Sequence, residues 1–173
     1  EVIYAYGMEL LISDVLNTII VLLIALFSHT LPAVVVFIAV FMGLRQFVGG
    51  FHANSHLSCM FTLVMVMMVF SYGICNVSGH ITPIFSISFI MIALPIILCI
   101  APVPHPNKPM SEEKSVKLRK RSCILAVTLS VVTIALLVFQ YQKLSLYVSS
   151  GMLLSAIMAL LGHFLNRGDN SKR

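Results

Sequence analysis

The chain has 173 residues, of which 59% are apolar and only 10% are charged, and its mean hydropathy is +1.01. A soluble domain carries about 25% charged residues, so this composition excludes an ordinary soluble domain and is typical of an integral membrane protein. The formal net charge of +5 does not indicate a nucleic-acid partner. No basic face with interleaved aromatic residues lies outside the apolar stretches.

Long apolar runs recur along the chain, and each is long enough to cross a hydrocarbon core about 30 Å thick as a helix. Their uninterrupted length favours helices over barrel strands, which would alternate in polarity every second residue. The sequence therefore predicts an all-α bundle of about six transmembrane helices, forming one polytopic domain over 1–173. The predicted spans lie near 10–27, 31–48, 57–77, 81–101, 123–140 and 146–165.

The distribution of Lys and Arg predicts the orientation of this bundle. With six spans, and with the Pro-rich and basic segment 102–122 in the cytoplasm, ten of the eleven Lys and Arg residues share one side and only Lys143 lies on the other. The positive-inside rule then places both termini and the segment 45–59 on the cytoplasmic side. The first run has no cleavage site and is followed by further spans, which argues against a removed signal peptide. The chain opens on Glu1 and not on Met, which leaves open whether residues precede it.

The four cysteines do not indicate a disulfide framework or a metal site. Cys75, Cys99 and Cys123 lie in or beside separate apolar runs, and no CxxC or paired Cys/His spacing is present. They are predicted to be small buried apolar side chains. Cys59 differs, because ionisable residues surround it in the sequence LRQFVGGFHANSHLSC. No metal and no cofactor are expected.

In this segment, Arg45, His52 and Cys59 follow one another at seven-residue steps. On one straight helix, His52 and Cys59 would lie about 10.5 Å apart along the axis, too far for proton transfer from a thiol to an imidazole. Catalysis by this pair therefore requires the helix to break, and Gly49-Gly50 is the expected place. Asn54 or Ser55 would then cap a new helix. Its positive N-terminal end would favour the Cys59 thiolate.

Other interpretations of the same residues stay open at this point. A lone cysteine in a membrane helix usually fills space, a lone histidine near an interface usually binds a carbonyl group or water, and Gly-Gly usually marks a turn. A competing base is also available. His56 lies three residues before Cys59 and would neighbour it on the new helix.

The spacing R-x6-H-A-x5-C, with Gly50 two residues before the histidine, resembles the AgrB family of quorum-sensing peptide processors. Ala101-Pro102-Val103, followed by residues 106–109 (PNKP) and a basic stretch, is similar to the central cytoplasmic loop of that family. The two motifs stand at the separation the family shows, and the hydropathy is similar along almost the whole chain. The chain departs from the family at its start, where members carry an additional amphipathic segment of about twenty to thirty residues.

The resemblance implies a cysteine endopeptidase of the bacterial cell membrane that cuts an AgrD-like precursor peptide and helps to close it into a thiolactone or lactone ring. By match of position, Cys59 would be the nucleophile and His52 the general base. Further groups are candidates for orienting the imidazole, stabilising the oxyanion or binding substrate: Arg45, Gln46, Gly50, Asn54 and Ser55. The family also suggests a homodimer.

The basic stretch has two interpretations. Ser111 with Glu112-Glu113 predicts a helix start, and four cations crowd the far end of this segment: Lys117, Arg119, Lys120 and Arg121. They would bind the acidic tail of the precursor according to the resemblance, or the headgroups of membrane lipids according to their position beside an apolar run.

A non-enzymatic transporter or peptide exporter is the alternative function, with Arg45 and Asp14 in a polar pathway. Such a pathway needs polar residues scattered along several spans, whereas here they cluster at one edge. A purely structural membrane subunit would leave the segment 45–59 unexplained.

Overall fold

The computed structural model describes residues 2–49, 65–66, 69–103 and 112–170. All regular elements in these ranges are helical. Their bounds are α1 Val2–Phe27, α2 Leu31–Val48, a π-helical turn Phe70–Ile74, α3 Thr82–Ile100, α4 Glu112–Val138 and α5 Gln142–Asn170.

Four helical segments in the described ranges are long and apolar enough to cross a membrane: Leu31–Val48, Thr82–Ile100, Ser115–Val138 and Gln142–Phe164. They correspond to the second, fourth, fifth and sixth predicted spans, so the prediction of an all-α membrane protein is confirmed. In α1, Thr18–Phe27 is a shorter apolar segment. The total of six spans remains a prediction, and residues 57–64 and 67–68 of the predicted span 57–77 lie outside the described residues.

The helices are distributed over two compact units. The first contains residues 2–35 and the described part of 53–76. In α1 of this unit, Val21 and Ala25 are buried one turn apart, while Leu16, Ile19, Leu23 and Leu26 are exposed. An apolar face of this kind is what a lipid-facing helix presents.

The second unit contains residues 36–49, 77–103 and 112–170 of the described chain. Helix α5 is its centre: 56% of its apolar segment is buried, against 22% for those of α3 and α4. It packs against both of these helices. The core joins side chains from the C-terminal part of α2, the three following helices and the segment after α3: Leu44, Val48, Ala93, Ile97, Ala101, Val103, Ala126, Met152, Ala156 and Ala159.

Small residues let α5 approach α2 closely. A Cβ atom added to Gly151 would lie 3.0 Å from the Phe37 carbonyl oxygen and 3.1 Å from the Val40 side chain. Four residues later, the Ser155 hydroxyl donates to the Gly151 carbonyl at 3.0 Å and reaches the Phe41 carbonyl at 3.4 Å. This is the small-xxx-small arrangement by which membrane helices bring their backbones together. This contact holds the C-terminal half of α2, in which the segment 45–59 begins, against α5.

Buried hydroxyl groups in this apolar core form hydrogen bonds with nearby groups. Ser130 and Thr133 of α4 each donate to the carbonyl group four residues earlier, a bond that needs no partner on another helix. Ser86 of α3 and Ser145 of α5 form a hydrogen bond between helices at 3.2 Å. Among the described side chains, no buried nitrogen or oxygen atom lacks a hydrogen-bond partner.

Candidate functional site

Helix α2 ends at Val48, where the sequence analysis placed the end of the second span. Gly49 follows with φ of +73°, in the left-handed region that a glycine adopts without a Cβ clash. Its N–H donates to the Arg45 carbonyl at 3.0 Å, which closes the last turn of the helix. The helix therefore stops at the first glycine of the predicted break. The predicted restart at Asn54 or Ser55 lies outside the described residues.

The segment after α3 is held against this helix end. Helix α3 ends at Ile100, and the buried residues Ala101 and Val103 flank Pro102. The Val103 N–H donates to the Val48 carbonyl at 2.9 Å, and Gly49 and Val103 form an isolated parallel β-bridge. We refer to this contact as the Gly49–Val103 bridge.

The Gly49–Val103 bridge gives Gly49 a second reason to be glycine. A Cβ atom at this position would lie 2.7 Å from the Val103 carbonyl oxygen, closer than any real Cβ approaches backbone. The glycine is thus needed both for its φ angle and for the close approach of a second chain segment. Sequence analysis anticipated the first requirement and missed the second, since no local pattern identifies a partner 54 residues away.

The bridge also joins the two sequence motifs. Residues 45–49 begin the first motif, and residues 101–103 begin the second, so both motifs start from adjacent points. Each motif begins at the C-terminal end of an apolar helix, α2 or α3. If these helices cross a bilayer, their adjacent ends lie on the same side of it, as the alternation of the second and fourth predicted spans requires.

Arg45 lies on the last turn of α2, half-buried beside the buried stripe that contains Phe41, Leu44 and Val48. Its Cζ atom lies 5.6 Å from the centroid of the Phe41 ring, four residues earlier. This distance is that of a cation–π contact, and helical side chains lean towards the N-terminus in this manner. The guanidinium therefore lies along α2, and Arg45 is one helical turn before Gly49 in the chain.

Gln46 is exposed. One residue along a helix corresponds to a rotation of 100°, so α2 turns Gln46 away from the face that carries Arg45. The structure does not bring these two candidate residues together.

The four cations of the basic stretch lie on α4, which starts at Glu112, next to the Ser111 that was predicted to begin a helix. Lys117 binds Glu113 one turn earlier at 2.6 Å, and both side chains are exposed. Arg119, Lys120 and Arg121 are also exposed. Lys117 to Arg121 thus belong to the same continuous helix as the apolar span that follows them.

Five candidate residues of the sequence analysis lie outside the described residues: Gly50, His52, Asn54, Ser55 and Cys59. The competing base His56 lies there too. The prediction that the other cysteines are buried is wrong for Cys99, which is exposed on α3. It lies about 200° around the helix from the buried Ile97, on the opposite face. Cys75 and Cys123 are half-buried.

Comparison with known proteins places these observations in a family. The AgrB family, described as Accessory gene regulator B, matches residues 1–159 of the chain. An AgrB-like protein of Clostridium beijerinckii is 24% identical over 116 residues, which cover 65% of this chain and 56% of that protein. The chain thus matches little more than half the length of this curated relative, and no solved structure matches it. The family match runs through α1 to α5 and includes both ends of the Gly49–Val103 bridge, so the chain belongs to the AgrB family.

Proposed function

We propose that this protein is a membrane-embedded cysteine endopeptidase of an accessory gene regulator quorum-sensing system. It cleaves the C-terminal tail from an AgrD-like precursor peptide and promotes closure of the remaining core into a thiolactone or lactone. Cys59 is the nucleophile and His52 the general base. Membership of the AgrB family supports this assignment.

The Gly49–Val103 bridge is the structural observation that supports it best. A peptidase must hold its nucleophile and base in fixed geometry against the substrate. The bridge anchors the chain three residues before His52, and the Val103 hydrogen bond fixes the same point from outside α2. A second chain segment that secures this position is expected for a catalytic segment, and has no evident use in a passive membrane anchor.

The reaction begins with transfer of the Cys59 thiol proton to His52. The thiolate attacks the scissile carbonyl carbon, a C–S bond forms, and the C–N bond breaks. His52 returns the proton to the departing amine, so the tail leaves with a free amino group. The N-terminal part of the precursor stays on Cys59 as a thioester.

Ring closure then needs only an exchange of acyl groups. A cysteine thiol or serine hydroxyl within the bound peptide gives its proton to His52 and attacks the thioester carbonyl, and Cys59 leaves as a thiolate. Water competes for the same carbonyl, so the ring forms only where water is kept away. A catalytic segment between apolar helices at the edge of the bilayer meets this need.

Arg45 is assigned a role in binding the substrate. Arg45 is half-buried, and its guanidinium lies against the Phe41 ring. A partly desolvated guanidinium binds carbonyl or carboxylate oxygens more strongly than one in bulk water. Asn54, Ser55 and Gly50 remain candidates for orienting the imidazole or stabilising the oxyanion.

The positive-inside rule places this site at the cytoplasmic face of the cell membrane. The adjacent ends of α2 and α3 are consistent with this topology, because segments 45–59 and 102–122 must then share one side. A homodimer is proposed from the family resemblance alone.

The test uses purified protein in lipid with a synthetic precursor that ends in an acidic tail. The natural cysteines offer a matched pair of variants: C59A alone, and a triple variant, C75A/C99A/C123A, that retains only Cys59. We expect the triple variant to cleave and cyclise the precursor, and C59A to leave it intact. Mass spectrometry distinguishes precursor, linear peptide, ring and acyl-enzyme. Normal cleavage by C59A would rule out the proposed mechanism.

A further inference from the structure

Four cations of α4 do not form one patch, because the helix separates Lys117, Arg119, Lys120 and Arg121 onto two faces. The face turned towards the protein is marked by a buried stripe, Ser122, Ala126, Ser130 and Thr133, with the three- and four-residue steps of one helix face. Arg119 lies three residues before Ser122, on the same side of the helix, although its own side chain is exposed. The Ser122 hydroxyl also donates to the Arg119 carbonyl at 3.0 Å.

The other three cations belong to the opposite face. Lys117, Lys120 and Arg121 precede Ile124 by seven, four and three residues, so all three share its side of the helix. Ile124 is 56% exposed, and Val131 on the same face is 60% exposed. In a helix that crosses a membrane, an apolar face this exposed contacts lipid chains.

We propose that Lys117, Lys120 and Arg121 bind the headgroups of anionic phospholipids. The apolar outer face of α4 ends at Ile124, and Lys120 lies only about 6 Å further along the axis. A lipid whose chains contact Ile124 and Val131 therefore has its headgroup at the level of these cations. Long basic side chains extend readily to that level while their methylene groups stay against apolar surface.

The local charge suits an anionic headgroup better than a zwitterionic one. Glu113 is on the same face, eleven residues before Ile124, and its ion pair with Lys117 offsets one positive charge. Lys120 and Arg121 contribute two further positive charges to the outer patch. An acidic peptide is the competing occupant, but the patch is continuous with a lipid-facing surface.

The experiment exploits the lack of tryptophan in this chain. I124W places one fluorescent reporter at the proposed lipid site, in exposed surroundings where a larger side chain has room. The protein is reconstituted in mixtures of phosphatidylglycerol and phosphatidylcholine, with bromine atoms on the chains of one lipid or the other. Because bromine quenches only a tryptophan in contact, the ratio of quenching gives the relative affinity for the anionic lipid.

We expect the reporter protein to prefer phosphatidylglycerol. In K120Q/R121Q the preference should fall by about fivefold for each cation removed, as expected for basic residues near an anionic surface. Added salt should reduce the preference of the reporter protein. Two variants are matched controls in the same I124W background: R119Q removes a cation from the other face, and K143Q removes one beyond the far end of α4.

Equal quenching by both lipids in the reporter protein would overturn the proposal, as would an unchanged preference in K120Q/R121Q. A preference lost equally in R119Q would also overturn it, because it would reflect charge in general and not one face. If K120Q/R121Q loses binding of an acidic-tailed precursor and keeps its lipid preference, the outer face is a peptide site. None of these measurements depends on enzymatic activity.

Discussion

Gly49 carries two structural requirements in one residue. Its φ of +73° ends α2, and the missing side chain admits the Val103 carbonyl oxygen, which would lie 2.7 Å from a Cβ atom. The first requirement is torsional and the second steric, so different substitutions separate them. Asparagine tolerates the left-handed region better than alanine, but it has the same Cβ atom.

G49A is therefore expected to lower the free energy of unfolding by about 2–4 kcal/mol, since it adds left-handed strain to a steric conflict with backbone. G49N should lie between G49A and the natural protein. G43A is the matched control within α2, because a Cβ atom there meets nothing within 4 Å and alanine is the better helix former. Denaturant titration in mixed micelles measures all three. Equal stability of G49A and G43A would contradict the role of the bridge.

The choice of general base is a second question at the scale of single residues. Resemblance favours His52, whereas His56 would lie beside Cys59 on the predicted new helix. We expect H52A to reduce the rate of precursor cleavage by 10²-fold or more, the usual contribution of a positioned base. H56A should retain most of the rate. The opposite result would assign the base to His56 and contradict the assignment of His52.

At the scale of elements, α5 positions the end of α2 through a narrow contact. A Cβ atom added to Gly151 would lie 3.0–3.1 Å from the Phe37 carbonyl oxygen and the Val40 side chain, and Ser155 reaches the Phe41 carbonyl one turn further along. The same part of α2 carries Arg45. Any change in the distance between α5 and α2 should therefore displace the guanidinium relative to the Gly49–Val103 bridge.

G151A should lower the free energy of unfolding by about 1–3 kcal/mol through overpacking. It should also raise the KM for the precursor more than it lowers kcat, because Arg45 is assigned to substrate binding. G73A is the control, since its added methyl group meets nothing within 4 Å. Steady-state cleavage kinetics and denaturant titration of both variants provide the measurements. A G151A protein with unchanged KM and stability would show that α2 and α5 move apart without a loss of stability, and would contradict the proposed role of their close contact.

At the scale of the whole molecule, the proposed chemistry has a thermodynamic consequence. Exchange of an amide for a thioester runs uphill, since the resonance of the amide is lost and that of the thioester is weak. The ring keeps this energy when the thiol of the peptide replaces Cys59. The released tail carries an amino group that attacks the ring in reverse.

The yield of a thiolactone ring is therefore expected to fall when excess tail peptide is added and to rise when the tail is degraded or diluted. Mass spectrometry of purified protein in lipid with a synthetic precursor follows both changes. A tail with a blocked amino group is the control, because it cannot attack the ring. Complete conversion that added tail does not affect would indicate an irreversible step, such as hydrolysis to a linear peptide.

The sequence by itself determined the membrane class, the positions of four spans and the end of α2. These depend on local properties: an apolar helix must satisfy its own backbone in lipid, and a glycine pair at the end of such a helix favours termination. It also predicted the helix start at Ser111–Glu112, because that signal is carried by adjacent residues. The catalytic assignment of Cys59 and His52 rests on the sequence and its family, since both lie outside the described residues.

Only the tertiary structure decided what lies against Gly49, which side of α4 each cation occupies relative to the protein, and that Cys99 is exposed. Each of these depends on which helix faces which, and helices in lipid choose their neighbours by shape and small residues, not by hydrophobicity. A uniformly apolar helix such as α3 contains little information about its inner face. Its buried residues, such as Ile90, Ala93 and Ile97, are distinguished from the exposed ones only once the helix is packed.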